Sequence, residues 1–192
     1  MNGLKEWATD VKALEHGKQT VNLRKAGNLE TASGFRVESK KFLLFPTWEH
    51  QEIKHVKLEY HNLLNETLNH KPKDDYNIIT SSAEVLDQKD ISSNKIIDNL
   101  SSFHVWSDEY IKERINWMPE KPLKAIFLKV YTFPQIEIPL QSDFEGCKSW
   151  IELNSNQNSG QSVQSDIEIE TGLKKSVSYT HLRAHETDSY LV

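Results

Sequence analysis

Apolar positions along the first third of the chain switch between two periods. Leu4, Trp7, Val11 and Leu14 recur at steps of three and four, the stripe of an amphipathic helix, and Gly17 follows as a residue able to take the left-handed conformation that ends one. From Gln19 to Arg24 the period becomes two, with Val21 and Leu23 set against Thr20, Asn22 and Arg24, which predicts a half-buried strand. Residues 27–34 hold two glycines and small polar side chains and read as a loop. Alternation resumes at Phe35–Glu38, and the apolar run Phe42–Phe45 predicts a buried strand stopped by Pro46. Val56, Tyr60, Leu63, Leu64 and Leu68 predict a second helix ending near Asn69, with a polar break at 71–75.

The same reading carries through the second half. Residues 76–86 predict a strand, and Ile96, Ile97, Leu100 and Phe103 a short helix. Ser107 followed by Asp108 and Glu109 is a helix start, because the hydroxyl can cap and the carboxylates suit the positive end of the dipole; that helix holds Ile111 and Ile115 and stops before Pro119. Leu123–Tyr131 is apolar on both faces and predicts a central strand ended by Pro134. Ile136, Ile138 and Leu140 alternate beyond it, and Cys147–Leu153 is expected as a final strand. These elements predict one α+β domain over residues 1–153, its mixed or antiparallel sheet flanked by helices and curled into a partly closed barrel. Residues 154–176 are rich in Asn, Gln, Ser and Gly over their first half and are expected to be a flexible polar segment.

Composition narrows the function classes. The chain has 192 residues, 37% of them hydrophobic, which suits one ordinary core. A net charge of −5 excludes a global positive field for nucleic acid or membrane and leaves only a local basic groove. A single cysteine, Cys147, excludes an intrachain disulfide framework and a multi-cysteine zinc site. No apolar leader opens the chain and no run approaches about 18 apolar residues, so a cytoplasmic protein with no membrane partner is expected. Residues 177–192 are expected to be a non-native tail: Val177–Thr187 reads as a translated sequencing adapter, and Tyr190–Val192 as its continuation after a barcode. The reading frame is thus expected to come from environmental DNA, with His181 and His185 given no weight.

Three blocks stand out together. They are Leu4-Lys5-Glu6-Trp7 with His16-Gly17-Lys18-Gln19 and Leu23-Arg24-Lys25; Phe42 to Gln51; and His104-Val105-Trp106-Ser107-Asp108-Glu109-Tyr110 with Gly146-Cys147-Lys148-Ser149-Trp150-Ile151-Glu152-Leu153. In this order they resemble the domain of unknown function 1802 family, a set of uncharacterised prokaryotic proteins. The resemblance implies a loose association with restriction–modification systems and no defined activity. The phrase His16–Arg24 is also similar to small barrel modules related to RNA-binding pseudouridine synthase domains.

Four chemistries follow from the side chains. Arg24, Lys25, Arg114, Lys121 and Lys148 interleaved with Trp48, Trp106, Trp117 and Trp150 make the mixture that binds phosphates and stacks bases, so DNA or RNA is the leading partner. Glu38-Ser39-Lys40 has the acidic-x-Lys spacing of restriction-type nucleases, and with Glu49 and His50 would make a metal-dependent hydrolase using Mg or Mn, Glu6 or Glu30 supplying a second ligand. In Thr47-Trp48-Glu49-His50-Gln51, His50 is a candidate general base, and a helix cap at Thr47 is the bland alternative. Cys147, or Ser149 in its place, with His50 or His104 as base would be a nucleophile pair. A protein-interaction module without site chemistry is the remaining alternative. Gly27 and Gly34 have no Gly-Lys-Ser/Thr after them, which excludes a phosphate loop of that type.

Overall fold

The stripe Leu4–Trp7–Val11–Leu14 is divided between two elements, a strand β1 (Asn2–Trp7) and a helix α1 (Ala8–Glu15) that follows it without a connecting loop. A computed structural model describes residues 1–25, 34–73, 75–91, 94–155, 157 and 160–181; the expected loop at 27–34 and Glu30 lie almost wholly outside them. Helical spacing misled at Leu4 and Trp7 because β1 is fixed by partners distant in sequence. It lies parallel to β3 (Lys41–Thr47) and antiparallel to β6 (Trp150–Glu152). Leu4 and Glu6 therefore share one face of a strand and Trp7 the other.

The remaining strands are β2 (Val21–Lys25), β4 (Tyr76–Ile91), β5 (Leu123–Pro139) and β7 (Gln161–Ser162). The sheet order is β2-β5-β4-β3-β1-β6, with β7 added on β5, and every pairing except β1 with β3 is antiparallel. The result is an α+β domain whose mixed sheet curls into a half-barrel. Across the open side β2 and β1 meet through side chains: Arg24 and Asn22 on β2 both donate to Glu6 on β1.

Two strands run through prolines expected to stop them. β5 continues through Pro134 because the ladder to β4 is irregular there: Thr132 pairs with Ser81 and Ile136 with Ile79, so Pro134 falls where its missing N–H is not needed. β3 likewise takes in Pro46, which sits beyond the last β3–β4 pair and receives a hydrogen bond at its carbonyl from Asn77 Nδ2 (2.7 Å). Of the final expected strand only Trp150–Glu152 forms. Within the segment expected to be flexible, β7 pairs with Tyr131 and Thr132. Gly160 permits that approach, since a Cβ there would stand 2.8 Å from the Thr132 carbonyl oxygen.

Helices α2 (His61–Asn69), α3 (Asn94–Leu100) and α4 (Asp108–Asn116) cover the outer face of the sheet, and α5 (Asp166–His181) follows β7. Ser107 caps α4 as its sequence predicts, accepting from Tyr110 N. One buried cluster joins Leu4, Val11 and Leu14 to Phe35, Phe42, Leu44 and Ile126 inside the half-barrel. A second packs Val21, Leu23 and Phe127 against Val56, Leu64, Trp106 and Ile111 under the helices. No helix among the described residues is long and apolar enough to cross a membrane.

Candidate functional site

Because β1 and β3 are parallel, their last residues, Trp7 and Thr47, arrive together at one end of the half-barrel. The turn that follows is tied to the start of α1. Gln51 Oε1 accepts from both Thr9 N (3.0 Å) and Thr9 Oγ1 (2.7 Å), Gln51 Nε2 donates to the Thr47 carbonyl, and Thr47 Oγ1 donates to the Glu6 carbonyl. No helix begins at Thr47. His50 is held at φ +60°, a left-handed conformation that few residues other than glycine adopt. Around this turn gather the end of β2, the end of α4 and the segment 140–149, which together enclose a cleft of about 1130 Å³. Lysines and arginines outnumber glutamates in its lining by seven to five, against a chain of net charge −5.

The floor of the cleft is an ionic network. Glu6 Oε1 accepts from Asn22 Nδ2 (2.7 Å) and Arg24 Nη1 (2.9 Å), while Arg24 Nη2 donates to Ser149 Oγ (2.7 Å) and Nε meets no acceptor among the described residues. Behind Glu6, Asp10 is fully enclosed and accepts from Gln19 Nε2. Burial first, then the charge of Glu6 and a hydrogen bond to it, hold the Asp10 carboxyl well above the usual carboxylate range. Asp10 Oδ2 meets no donor among the described residues.

On one side, Lys5 organises the segment 144–149. Its Nζ donates to the Phe144 and Gly146 carbonyls, both at 2.8 Å, and its backbone N–H to the Ser149 carbonyl. Burial pushes the Lys5 ammonium down from its ordinary pKa. On the other side, Lys25 Nζ donates to the Ile115 carbonyl at the end of α4 (2.7 Å), and its pKa is also lowered by burial and then by Arg114. The Arg114 guanidinium lies 5.0 Å from the ring centre of Trp117, in cation–π range. Below them, Trp7 packs edge-on against Trp106 at 5.1 Å and at a tilt against Tyr110 at 5.4 Å, and it stacks with His55, whose Nε2 is 3.0 Å from Glu113. Burial raises the Tyr110 hydroxyl to about 12, so it stays a neutral donor.

The family model for the Domain of unknown function (DUF1802) matches residues 3–174. The chain belongs to the DUF1802 family. No curated protein matches it. Among solved structures, this DUF1802 chain is similar to ASCH from Zymomonas mobilis, at 14% identity over 92% of this chain and 93% of that one, with a TM-score of 0.43. Two mutant forms of the same protein give 13% identity and a TM-score of 0.44, over 92% and 94% of the chains, and 15% and 0.43, over 80% and 89%.

In the DUF1802 chain the fold brings Arg24, Lys25, Trp48, Glu49, His50, Trp106, Arg114 and Lys148 to this one cleft. Their roles differ from the expected ones in several places. Trp106 is buried beneath Trp7 and Tyr110 and offers no face to a base. Trp150 lies outside the lining, packed on Phe35 and Phe42 with its indole N–H donated to the Arg36 carbonyl. Glu38 and Lys40 are exposed outside the cleft, Lys40 pairing with Glu84 at 3.7 Å, so the acidic-x-Lys motif is separated from Glu49 and His50. Glu6 is spent on Arg24 and Asn22, and among the described residues no group of three or more His, Cys, Asp or Glu is arranged to hold a metal. His104 cannot serve Cys147: it is buried away from the cleft, with its pKa lowered to about 3 by burial, whereas Cys147 is exposed. Asp10 and His55 belong to no motif in the sequence, and Lys5 stands there only as part of a family block; Glu6 in alternation with Leu4, once β1 is a strand, is the signal that leads to the floor.

Proposed function

We propose that the cleft binds a single-stranded segment of DNA or RNA, with bases stacked on Trp48 and Trp117 and phosphates drawn to Arg24, Arg114 and Lys148. The observation that carries this reading is the meeting of partly open indoles and cations in one groove of an acidic chain: Trp48 is half-buried, and Trp117 is 37% exposed beside Arg114. Stacking on an aromatic face requires a base already free of a duplex, and it tolerates any base. A cleft of about 1130 Å³ also exceeds the roughly 300–1000 Å³ typical of a small-ligand pocket, which suits a length of polymer. A nuclease using Mg or Mn is the weaker reading, because Glu38 and Lys40 stand apart from Glu49 and His50.

The test is a fluorescence titration of short single-stranded DNA, single-stranded RNA and duplex into the protein over a range of salt. Expected is preference for one of the single strands, with affinity falling as salt rises by about 0.7 log units per log unit for each phosphate engaged. Trp48→Ala and Arg114→Ala should each weaken it roughly tenfold. Glu38→Ala should change nothing. Absence of binding, or binding indifferent to salt and to both variants, overturns the reading.

A further inference from the structure

Lys5 and Arg24 do more than sit in the cleft: between them they fix the rim segment Gly146–Ser149. Lys5 Nζ holds the Phe144 and Gly146 carbonyls, Lys5 N holds the Ser149 carbonyl, and Arg24 Nη2 holds the Ser149 hydroxyl. A peptide unit points its C=O and its N–H in opposite directions. With the Gly146 carbonyl turned onto Lys5, the N–H of Cys147 is turned away from it. The N–H groups of Gly146, Cys147 and Lys148 donate to no backbone or side-chain acceptor among the described residues, and all three residues line the cleft. Gly146 takes φ +80°, and a Cβ there would meet nothing within 4 Å, so the rim is open to a ligand on that side. Consecutive amide N–H groups freed at such a turn form an anion-binding concavity, and here the exposed Lys148 ammonium adds a full positive charge beside it.

We propose that Gly146–Lys148 is a phosphate-binding rim, in which the freed amides and Lys148 Nζ hold one phosphoryl group. This rests on the nucleic-acid reading of the cleft in assigning that phosphate to a bound strand, but the rim chemistry is that of any phosphate monoester or diester. Lys5 acts as a positioning residue: its ammonium is committed to carbonyls, and its part is to keep the amides facing outward. Glu49, whose charge also reaches Lys5, and the exposed Glu145 oppose an anion here and limit affinity for a free one.

Cys147 is the chain's single cysteine and is exposed in the middle of the rim, so its alkylation rate reports on this segment alone. The experiment follows alkylation of the full chain with inorganic phosphate, a nucleoside 5′-monophosphate, the parent nucleoside or a single-stranded oligonucleotide, each at matched ionic strength. Phosphate, the monophosphate and the oligonucleotide should slow it by about fivefold or more, while the nucleoside and sodium chloride should not. Lys148→Ala, on an exposed side chain that leaves the fold intact, should abolish protection by phosphate and reduce the salt slope of oligonucleotide binding by about 0.7. Glu49→Gln should strengthen protection. An oligonucleotide that binds while leaving Cys147 unprotected and the Lys148→Ala variant unchanged overturns the rim and leaves the strand reading standing. Protection by phosphate with no oligonucleotide binding keeps the rim and removes the strand.

Discussion

Asp10 is fully enclosed at the start of α1, accepting from Gln19 and facing Glu6, so folding disfavours its charged form. Its carboxyl titrates near 3.8 when unfolded and well above that when folded. Between those two values the native state binds the extra proton, and stability falls as pH rises through the window. An asparagine would make the same two hydrogen bonds, donating to Glu6 and accepting from Gln19, without that linkage. Asp10→Asn is therefore expected to unfold at higher urea than the parent at about pH 7, by a margin that widens as pH rises from about 4. A variant equal to or weaker than the parent there would count against a carboxyl held above its ordinary range. His104 works in the other direction, since a pKa lowered to about 3 makes stability fall with falling pH below 6.5. Comparing the single variant with its parent isolates the Asp10 contribution from that opposing slope.

Elements whose signals are local were legible from sequence, and those defined by remote pairing were not. Ser107, Asp108 and Glu109 marked the start of α4 correctly because a cap and a dipole are properties of adjacent residues. Ser107 Oγ both accepts from Tyr110 N and donates to the Lys54 carbonyl, so Ser107→Ala should cost about 1 kcal/mol in thermal or urea unfolding. Little or no loss would mean that packing of Ile111 alone holds α4. By contrast β1 looked helical, as Leu4 and Trp7 continue the stripe of α1; only β3 and β6, some 40 and 150 residues away, make it a strand. Pro134 looked like a terminator because nothing nearby reveals that β4 offers an irregular ladder opposite it. The same division applies to the site. Arg24, Trp48 and Arg114 were legible as residue types, but that Trp106 is core and Trp150 belongs to another cluster depends on the packing of Trp7, Phe35 and Phe42 around them.

At the scale of the molecule, an acidic chain has collected more positive than negative side chains at one end of its barrel, and the seam of that barrel is made from the same residues. The seam joins β2 to β1 by Arg24, Asn22 and Glu6, whereas β4 and β5 are joined by a continuous backbone ladder along most of their length. A few polar contacts that water can replace are a weaker closure than such a ladder. Native-state hydrogen exchange should therefore divide the molecule into two cooperative units. Amides of Val21–Lys25 on the side facing the seam should exchange by an opening that leaves the β4–β5 pair protected, and occupancy of the cleft should slow them. Uniform protection of both strands would mean that the barrel opens only when everything unfolds. If the two units are distinct, the protein can widen its cleft by parting its own wall, and the residues that line the cleft would be the ones that let go.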